Sequence, residues 1–297
     1  RLMRVSVASG KGGTGKTTVA TNLAYVASLA GRTVAYVDCD VEEPNGHLFL
    51  KPNWLTRRPA TRLVPCVDES KCTQCGRCGE VCQFSAIVPL GGKVLVYAEL
   101  CHGCGGCTLV CPTGAIREEP RELGMLEMGW AQGVQFTHGV LNVGEAMCTP
   151  LIRQVKDAPP RTEVTVIDAP PGTSCPAIET VRGSDFVLMV TEATPFGLND
   201  LRLAVEMVRC LGLPLGVVIN RADTGNRHTW TYCGDQQIRI LAEIPDDRRI
   251  AEAYSRGELA AMISPEYRDL FSKLLAELSK IAAVSPSSPL ACESQAS

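Results

Sequence analysis

Gly10-Lys11-Gly12-Gly13-Thr14-Gly15-Lys16-Thr17 stands between a segment, 3–9, that reads as a buried strand and a segment, 16–30, that reads as a helix. The pattern G-x4-G-K-[ST] needs that context: the glycines let backbone N–H groups curl around phosphate oxygens, and the helix N-terminus adds a favourable dipole. A glycine turn arising by chance does not require both flanks. The whole run Gly10–Thr18 is therefore expected to hold a nucleotide, with Lys16 on the β- and γ-phosphates and Thr17 on Mg²⁺.

Further strands are expected over 33–37, ending at Asp38; over 164–167, ending at Asp168; and over 186–190, 215–219 and 238–244. Helices are expected over 198–211 and 267–283, and a hairpin within 124–143. Strands alternating with helices predict an α/β fold with a doubly wound, mostly parallel sheet. The Ser- and Pro-rich stretch 285–297 is expected to be disordered.

The texture changes between 59 and 120, where Cys and Gly are dense and Pro59, Pro65, Pro89, Pro112 and Pro120 punctuate short apolar runs. The expected organisation is a discontinuous nucleotide-binding domain, 1–58 and 121–284, with an insert at 59–120. A net charge of −3 and a pI near 5.9 argue against nucleic acid as a partner. No apolar run is long enough for a membrane span, and the end of the chain is no basic amphipathic helix, so no membrane anchor is expected. The sequence enters a strand directly at Arg1-Leu2-Met3, without a secretory leader, and either Met3 is the start or the sequence is a fragment. A cytoplasmic, reducing setting follows, in which 15 cysteines mean metal thiolates rather than disulfides.

Eight of those cysteines form a repeat. Cys72-x2-Cys75-x2-Cys78-x3-Cys82 recurs as Cys101-x2-Cys104-x2-Cys107-x3-Cys111-Pro112, and each copy ends in a similar apolar stretch, Ser85-Ala86-Ile87 and Gly114-Ala115-Ile116. This spacing matches the bacterial two-cluster ferredoxin run, in which the fourth thiolate of each copy crosses to the other cluster. The expected sets are Cys72, Cys75, Cys78 and Cys111 for one [4Fe–4S] cluster, and Cys101, Cys104, Cys107 and Cys82 for the other. Zinc also favours four thiolates, but usually between two distant C-x2-C knuckles. Gln83 departs from the motif, which has Pro there. Cys39, Cys66, Cys148, Cys210, Cys233 and Cys292 read as packing or inert thiols. His47, His102, His138 and His228 read as surface or packing residues, with His102 inside the second cysteine loop.

Lys11, a second lysine directly after the first glycine, resembles the deviant loop of the MinD/ParA/nitrogenase-iron-protein superfamily. The resemblance extends to Asp38-Cys39-Asp40, similar to that superfamily's first switch, and to Asp168-Ala169-Pro170-Pro171-Gly172, similar to its second. It implies a nucleotide-sandwich homodimer, or a heterodimer with a paralogue, in which Lys11 reaches the partner's phosphates. It also implies Asp38 and Asp168 near Mg²⁺, and Asp40 positioning the attacking water; Lys11, Lys16 and Asp40 are then the catalytic set. Asn220 stands where the superfamily contacts adenine, with Arg221 beside it and Pro245-Asp246-Asp247 flanking the base. Asn220-Arg221-Ala222-Asp223 also fits the N-[KR]-x-D reader of guanine, so ATP and GTP both stand at this point. Cys175 lies where the nitrogenase iron protein holds a dimer-bridging cluster, with Cys148 as the one candidate second ligand.

The chain thus resembles MinD/ParA/Mrp ATPases carrying an inserted two-cluster ferredoxin domain. The expected function is ATP-driven dimer switching that gates electron transfer to a redox partner. The alternatives are an Mrp-like cluster carrier serving an Fe–S acceptor protein, or a MinD-like positioning ATPase.

Overall fold

Met3–Ala8 forms strand β1, buried at every position but Arg4, and the rest of the fold is laid on either side of it. The computed structural model describes residues 2–284; the stretch 285–297, and with it the expectation of disorder there, lies outside the described residues. In chain order, β1 is followed by α1 (Lys16–Leu29), β2 (Val34–Asp38), α2 (Gly46–Leu50) and β3 (Asn53–Val67). Next come α3 (Arg77–Val81), β4 (Ile87–Leu90), β5 (Lys93–Val96), α4 (Gly106–Leu109), β6 (Ile116–Ala131) and β7 (Val134–Leu141). The chain continues with α5 (Thr149–Asp157), β8 (Val164–Asp168), α6 (Cys175–Val181), β9 (Phe186–Glu192), α7 (Pro195–Cys210) and β10 (Leu215–Asn220). It ends with α8 (His228–Asp235), β11 (Ile240–Ile244), α9 (Arg248–Ser255), α10 (Ala260–Ile263) and α11 (Pro265–Val284).

Nine strands form one sheet in the order β11-β10-β9-β1-β8-β2-β7-β6-β3, parallel from β11 to β7. Strands covered on both faces read as continuous apolar runs, which is why β1, β2, β8 and β9 were legible as strands. On one face α1 is buried nearly all round, with Val19, Leu23, Ala24 and Ala27 at 0% exposure, under Phe271, Leu274 and Leu278 of α11. On the other face Leu201, Val205 and Val208 of α7 cover Val187, Met189 and Ile219. Pro195 opens α7, and the Thr194 hydroxyl accepts the Gly197 N–H at 3.0 Å.

The hairpin expected within 124–143 is β6–β7, turning at Gln132-Gly133 with φ of 53° and 77°, both left-handed as a two-residue hairpin turn requires. The antiparallel pair β3–β6 runs far past the end of β7: β7 pairs with β6 only over 124–131, whereas β3 pairs with it from 116 to 130. The outer part of that pair is a two-stranded ribbon, and the cysteine-rich segment closes its far end. Pro59 and Pro65 are tolerated because β3 is the sheet's edge, and Pro120 because β7 has already ended there. Among the described residues, no helix is long and apolar enough to cross a membrane.

Candidate functional site

Parallel pairing sets the ends of three strands side by side. Val7 of β1 is level with Asp168 of β8, and Asp168 is level with Asp38 of β2, so both carboxylates flank the glycine loop that leaves β1. This is the edge of an open α/β sheet where ligands bind. Gly10 packs so closely on α7 that a Cβ would lie 2.2 Å from the Asp200 carbonyl oxygen; no other residue fits. Gly15 caps α1 at φ 89°, and a Cβ there would meet the Asn220 amide at 2.3 Å.

Lys16 is 7% exposed, and its Nζ lies 2.9 Å from Asp168 Oδ1. Burial pulls the ammonium down, but the Asp168 charge and hydrogen bond, helped by Asp40 and Asp38, hold it above its ordinary value. Tyr36 Oη donates to Asp168 Oδ2 at 2.9 Å. The Asp38 carboxylate accepts from Asp40 N at 3.1 Å and Gly46 N at 2.9 Å, and so fixes the turn between β2 and α2. Burial, reinforced by the Asp168 charge, pushes the Asp38 carboxyl up to about 7. Burial likewise lifts Asp40 to about 6, against the pull of Lys16. Asp38, Asp40 and Asp168 gathered around the single buried Lys16 supply the oxygen donors a divalent cation takes. Thr17 is buried beside them, and the buried Thr14 hydroxyl has no protein partner. A polyphosphate with its Mg²⁺ fits such a donor set: Thr17, Asp38 and Asp168 for the metal, Lys16 and the loop N–H groups for the phosphates.

Lys11 Nζ lies 3.5 Å from Glu192 Oε2 at the end of β9, and Glu192 Oε1 accepts from Arg221 Nη1 at 2.9 Å. Sequence reading missed Glu192, Tyr36 and Asp200. Only Glu192 carries a signal that points to it, a carboxylate ending a buried strand as Asp168 does. Asn220 Nδ2 donates to the Thr14 carbonyl at 2.9 Å, tying β10 to the loop. Beside it lies a cavity of about 340 Å³ lined by Gly13, Gly15, Asn220, Arg221, Pro245 and Tyr254. The Asp223 carboxylate accepts the Asp246 N–H at 2.6 Å. A wider groove of about 1000 Å³ between α7 and α8 contains none of the nucleotide-motif residues, so the smaller cavity is the one tied to the loop.

In the cysteine segment the two halves interlock. Cys72, Cys75, Cys78 and Cys111 line one hollow, and Cys82, Cys101, Cys104 and Cys107 line another, so the fourth thiol of each repeat sits with the other repeat's three. Backbone N–H groups point at these sulfurs: Ala86 N to Cys82 Sγ and Ala115 N to Cys111 Sγ, both at 3.3 Å, and Gly103 N to Cys101 Sγ at 3.4 Å. The slight burial of Cys82 and Cys111 raises their thiols, but the surrounding N–H groups, and for Cys111 the Thr113 hydroxyl, outweigh it and favour thiolate. Burial dominates at Cys78 and Cys107 and raises them. A single tetrahedral ion needs sulfurs about 3.8 Å apart. Among the described residues no group of three or more such ligands converges on one ion. Thiols ringing a hollow suit a multi-atom cluster instead.

His102 stacks on Phe84 at the second hollow, with ring centroids 3.5 Å apart. His138 is buried, donates to or accepts from Glu127 at 2.7 Å, and packs on Trp54. His47 stands edge-on to His138, and His228 opens α8. Cys175 is exposed at the start of α6, whereas Cys148 is buried at the N-cap of α5, where burial raises its thiol to about 11. Cys39 and Cys233 are buried, Cys66 is half-buried, Cys210 is exposed, and Cys292 lies outside the described residues.

Residues 5–260 match the family model of the CobQ/CobB/MinD/ParA nucleotide binding domain. An uncharacterised protein of Methanocaldococcus jannaschii is 30% identical over 260 residues, 86% of this chain and 91% of that protein. An iron-sulfur cluster carrier protein of Aquifex aeolicus is 25% identical over 88% of this chain, which spans 62% of it. An uncharacterised ferredoxin of M. jannaschii is 43% identical over 54 residues, 17% of this chain and 70% of that protein. In fold, the septum site-determining protein MinD of Pyrococcus horikoshii aligns with a TM-score of 0.61 at 21% identity, covering 97% of this chain and 100% of the other.

Proposed function

The chain belongs to the CobQ/CobB/MinD/ParA nucleotide-binding family, and from that premise we propose that it is an ATPase whose nucleotide-driven dimer switching gates electron transfer through two [4Fe–4S] clusters. The observation that carries this reading is the interlocked pair of thiol hollows on a ribbon continuous with the nucleotide-binding sheet. When bound, the clusters would supply one-electron chemistry at low potential, on the order of −400 mV.

In the hydrolytic half, water attacks the γ-phosphorus, the bond to the β-phosphate oxygen breaks, and ADP and phosphate leave. Lys16 and the loop N–H groups neutralise charge on the transferred group, and Asp40 orients the water. Thr17, Asp38 and Asp168 are the Mg²⁺ holders in this reading. The base lies in the cavity beside Asn220, against Pro245. Adenine is favoured by Lys11, the second lysine of the loop, which is the mark of the ATP-binding members that the loop resembles. The free thiols throughout the described residues suit a reducing, cytoplasmic setting.

A second reading, a cluster carrier, is favoured by the Aquifex relative. Anaerobic purification with iron counting and EPR, with and without ATP, tests both. About eight irons per chain, stably held and oxidised by an acceptor only with ATP, are expected for gating. Release of the clusters to an apo-acceptor would favour the carrier, and zinc or iron-poor protein would end both.

A further inference from the structure

Arg62 sits at the root of the ribbon, just past the last β6–β7 pair, and only 3% of its side chain is exposed. Its Nη2 donates to the carbonyls of Ala98 at 2.8 Å and Glu99 at 3.3 Å, in the turn that leads into Cys101. The same nitrogen lies 3.2 Å from Glu145 Oε1, and Glu145 is equally buried. Arg62 thus joins the cysteine segment to the loop 142–148 of the nucleotide-binding sheet. Its Nε and Nη1 are buried without a partner.

That loop is fastened at its start to the first switch. Leu141 N donates to the Val41 carbonyl at 2.9 Å, where the chain leaves β7 for the loop. Val41 and Glu42 follow Asp40 directly. Every step from Asp40 to Cys101 is therefore a backbone connection or a direct polar contact: Val41 to Leu141, Glu145 to Arg62, Arg62 to residues 98–99. Cys101 belongs to the hollow shared with Cys82, Cys104 and Cys107; the other hollow, at Val67 and Ile116, lies farther along the ribbon.

We propose that the buried Arg62–Glu145 pair is the link through which the first switch acts on the nearer cluster, setting both the position of residues 98–101 and the charge behind Cys101. This rests on the gating reading given above. Two groups in low dielectric interact strongly, so a small displacement of Glu145 alters how much of the Arg62 charge the cluster feels. Neither residue touches nucleotide or iron; both are positioning residues.

The test uses full-length protein carrying its clusters under anaerobic conditions, with and without the slowly hydrolysed analogue Mg-AMPPNP. Hydrogen exchange at 98–101 and the midpoint potential of each cluster are measured, the clusters being assigned with Cys75→Ser and Cys104→Ser. In the wild type the analogue is expected to change exchange at 98–101 and to shift the potential of the cluster at Cys104 alone. Glu145→Gln should abolish both responses while iron content and analogue affinity stay within twofold. Without nucleotide it should raise the potential of that cluster only, since Arg62 loses its counter-charge. Should the single variant fail to fold, the charge-free pair Arg62→Met with Glu145→Leu removes the link without leaving a lone buried charge, and must also abolish the response. A response that survives in either variant overturns the link and leaves gating intact. A wild type with no response overturns gating itself, and the link with it.

Discussion

Lys16 Nζ and Asp168 Oδ1 are 2.9 Å apart and both side chains are buried, so the lysine of the phosphate loop is paired with the carboxylate that ends β8. Removing one partner of a buried pair leaves an uncompensated charge, at a cost of about 3–5 kcal/mol. Lys16→Ala is therefore expected to lower stability by that order and to weaken ATP binding at least about 100-fold, roughly 3 kcal/mol. Iron content should not change, because the cysteine hollows share no residue with this pair. Calorimetry, nucleotide titration and iron counting read the three effects, and loss of iron in the variant would contradict the independence of the two sites.

Asn220 and Asp223 make opposite predictions about the base. Asn220 holds the Thr14 carbonyl and lines the cavity, so Asn220→Ala should weaken ATP binding about five- to tenfold, near 1–1.5 kcal/mol. Asp223 Oδ1 accepts from Asp246 N, whereas its Oδ2 keeps its acceptor sites, so Asp223→Ala should weaken GTP binding and leave ATP binding within about twofold, with ATP the tighter ligand of the wild type. Equal competition by the two nucleotides, lost for GTP in Asp223→Ala, would show that Asp223 reads guanine.

The phosphate loop and the thiol sets were legible because their chemistry is written in short, local spacing. Asp38, Asp168 and Asn220 were legible because each ends an apolar strand. The ribbon was not, since Arg57, Arg58, Pro59 and Arg62 of β3 look like loop residues and gain strand structure only from β6, some 60 residues away. Arg62 was invisible for a related reason: an isolated charged residue says nothing of the partner that folding brings to it.

His138 shows the same long-range logic and carries a pH dependence. Its ring is buried between Trp54 and Phe136, faces Glu127 of β6 and His47 of α2, and feels Arg57 of β3. Burial lowers its proton affinity first, Glu127 offsets this only in part, and the folded value lies below 6.5. Below that pH the unfolded chain takes up a proton that the native ring resists, so this stability is full above about 6.5 and declines as pH falls, by at most ~1.4 kcal/mol per pH unit. Asp38 and Asp40, raised to about 7 and about 6, act in the opposite sense. The contribution is therefore read as a difference: melting of wild type minus His138→Gln should shrink between pH 7.5 and 5.5. A difference that is flat across that range would mean the ring titrates alike in both states.

Lys11 and Glu192 bear on assembly. Lys11 is held 3.5 Å from Glu192 within its own chain, with about a third of its side chain exposed, and Glu192 keeps a second partner in Arg221. A lysine that crosses to a partner's phosphates must first leave Glu192, and a partly exposed pair of this kind resists by only about 0.2–1 kcal/mol. Glu192→Gln should accordingly favour the ATP-dependent dimer by up to about fivefold. Lys11→Ala should leave the protein monomeric with MgATP and cut hydrolysis by about 100-fold or more, while ATP still binds through Lys16. Sedimentation and phosphate release with both variants decide the matter. If Lys11→Ala dimerises and hydrolyses like the wild type, Lys11 serves its own loop and the sandwich has another architect.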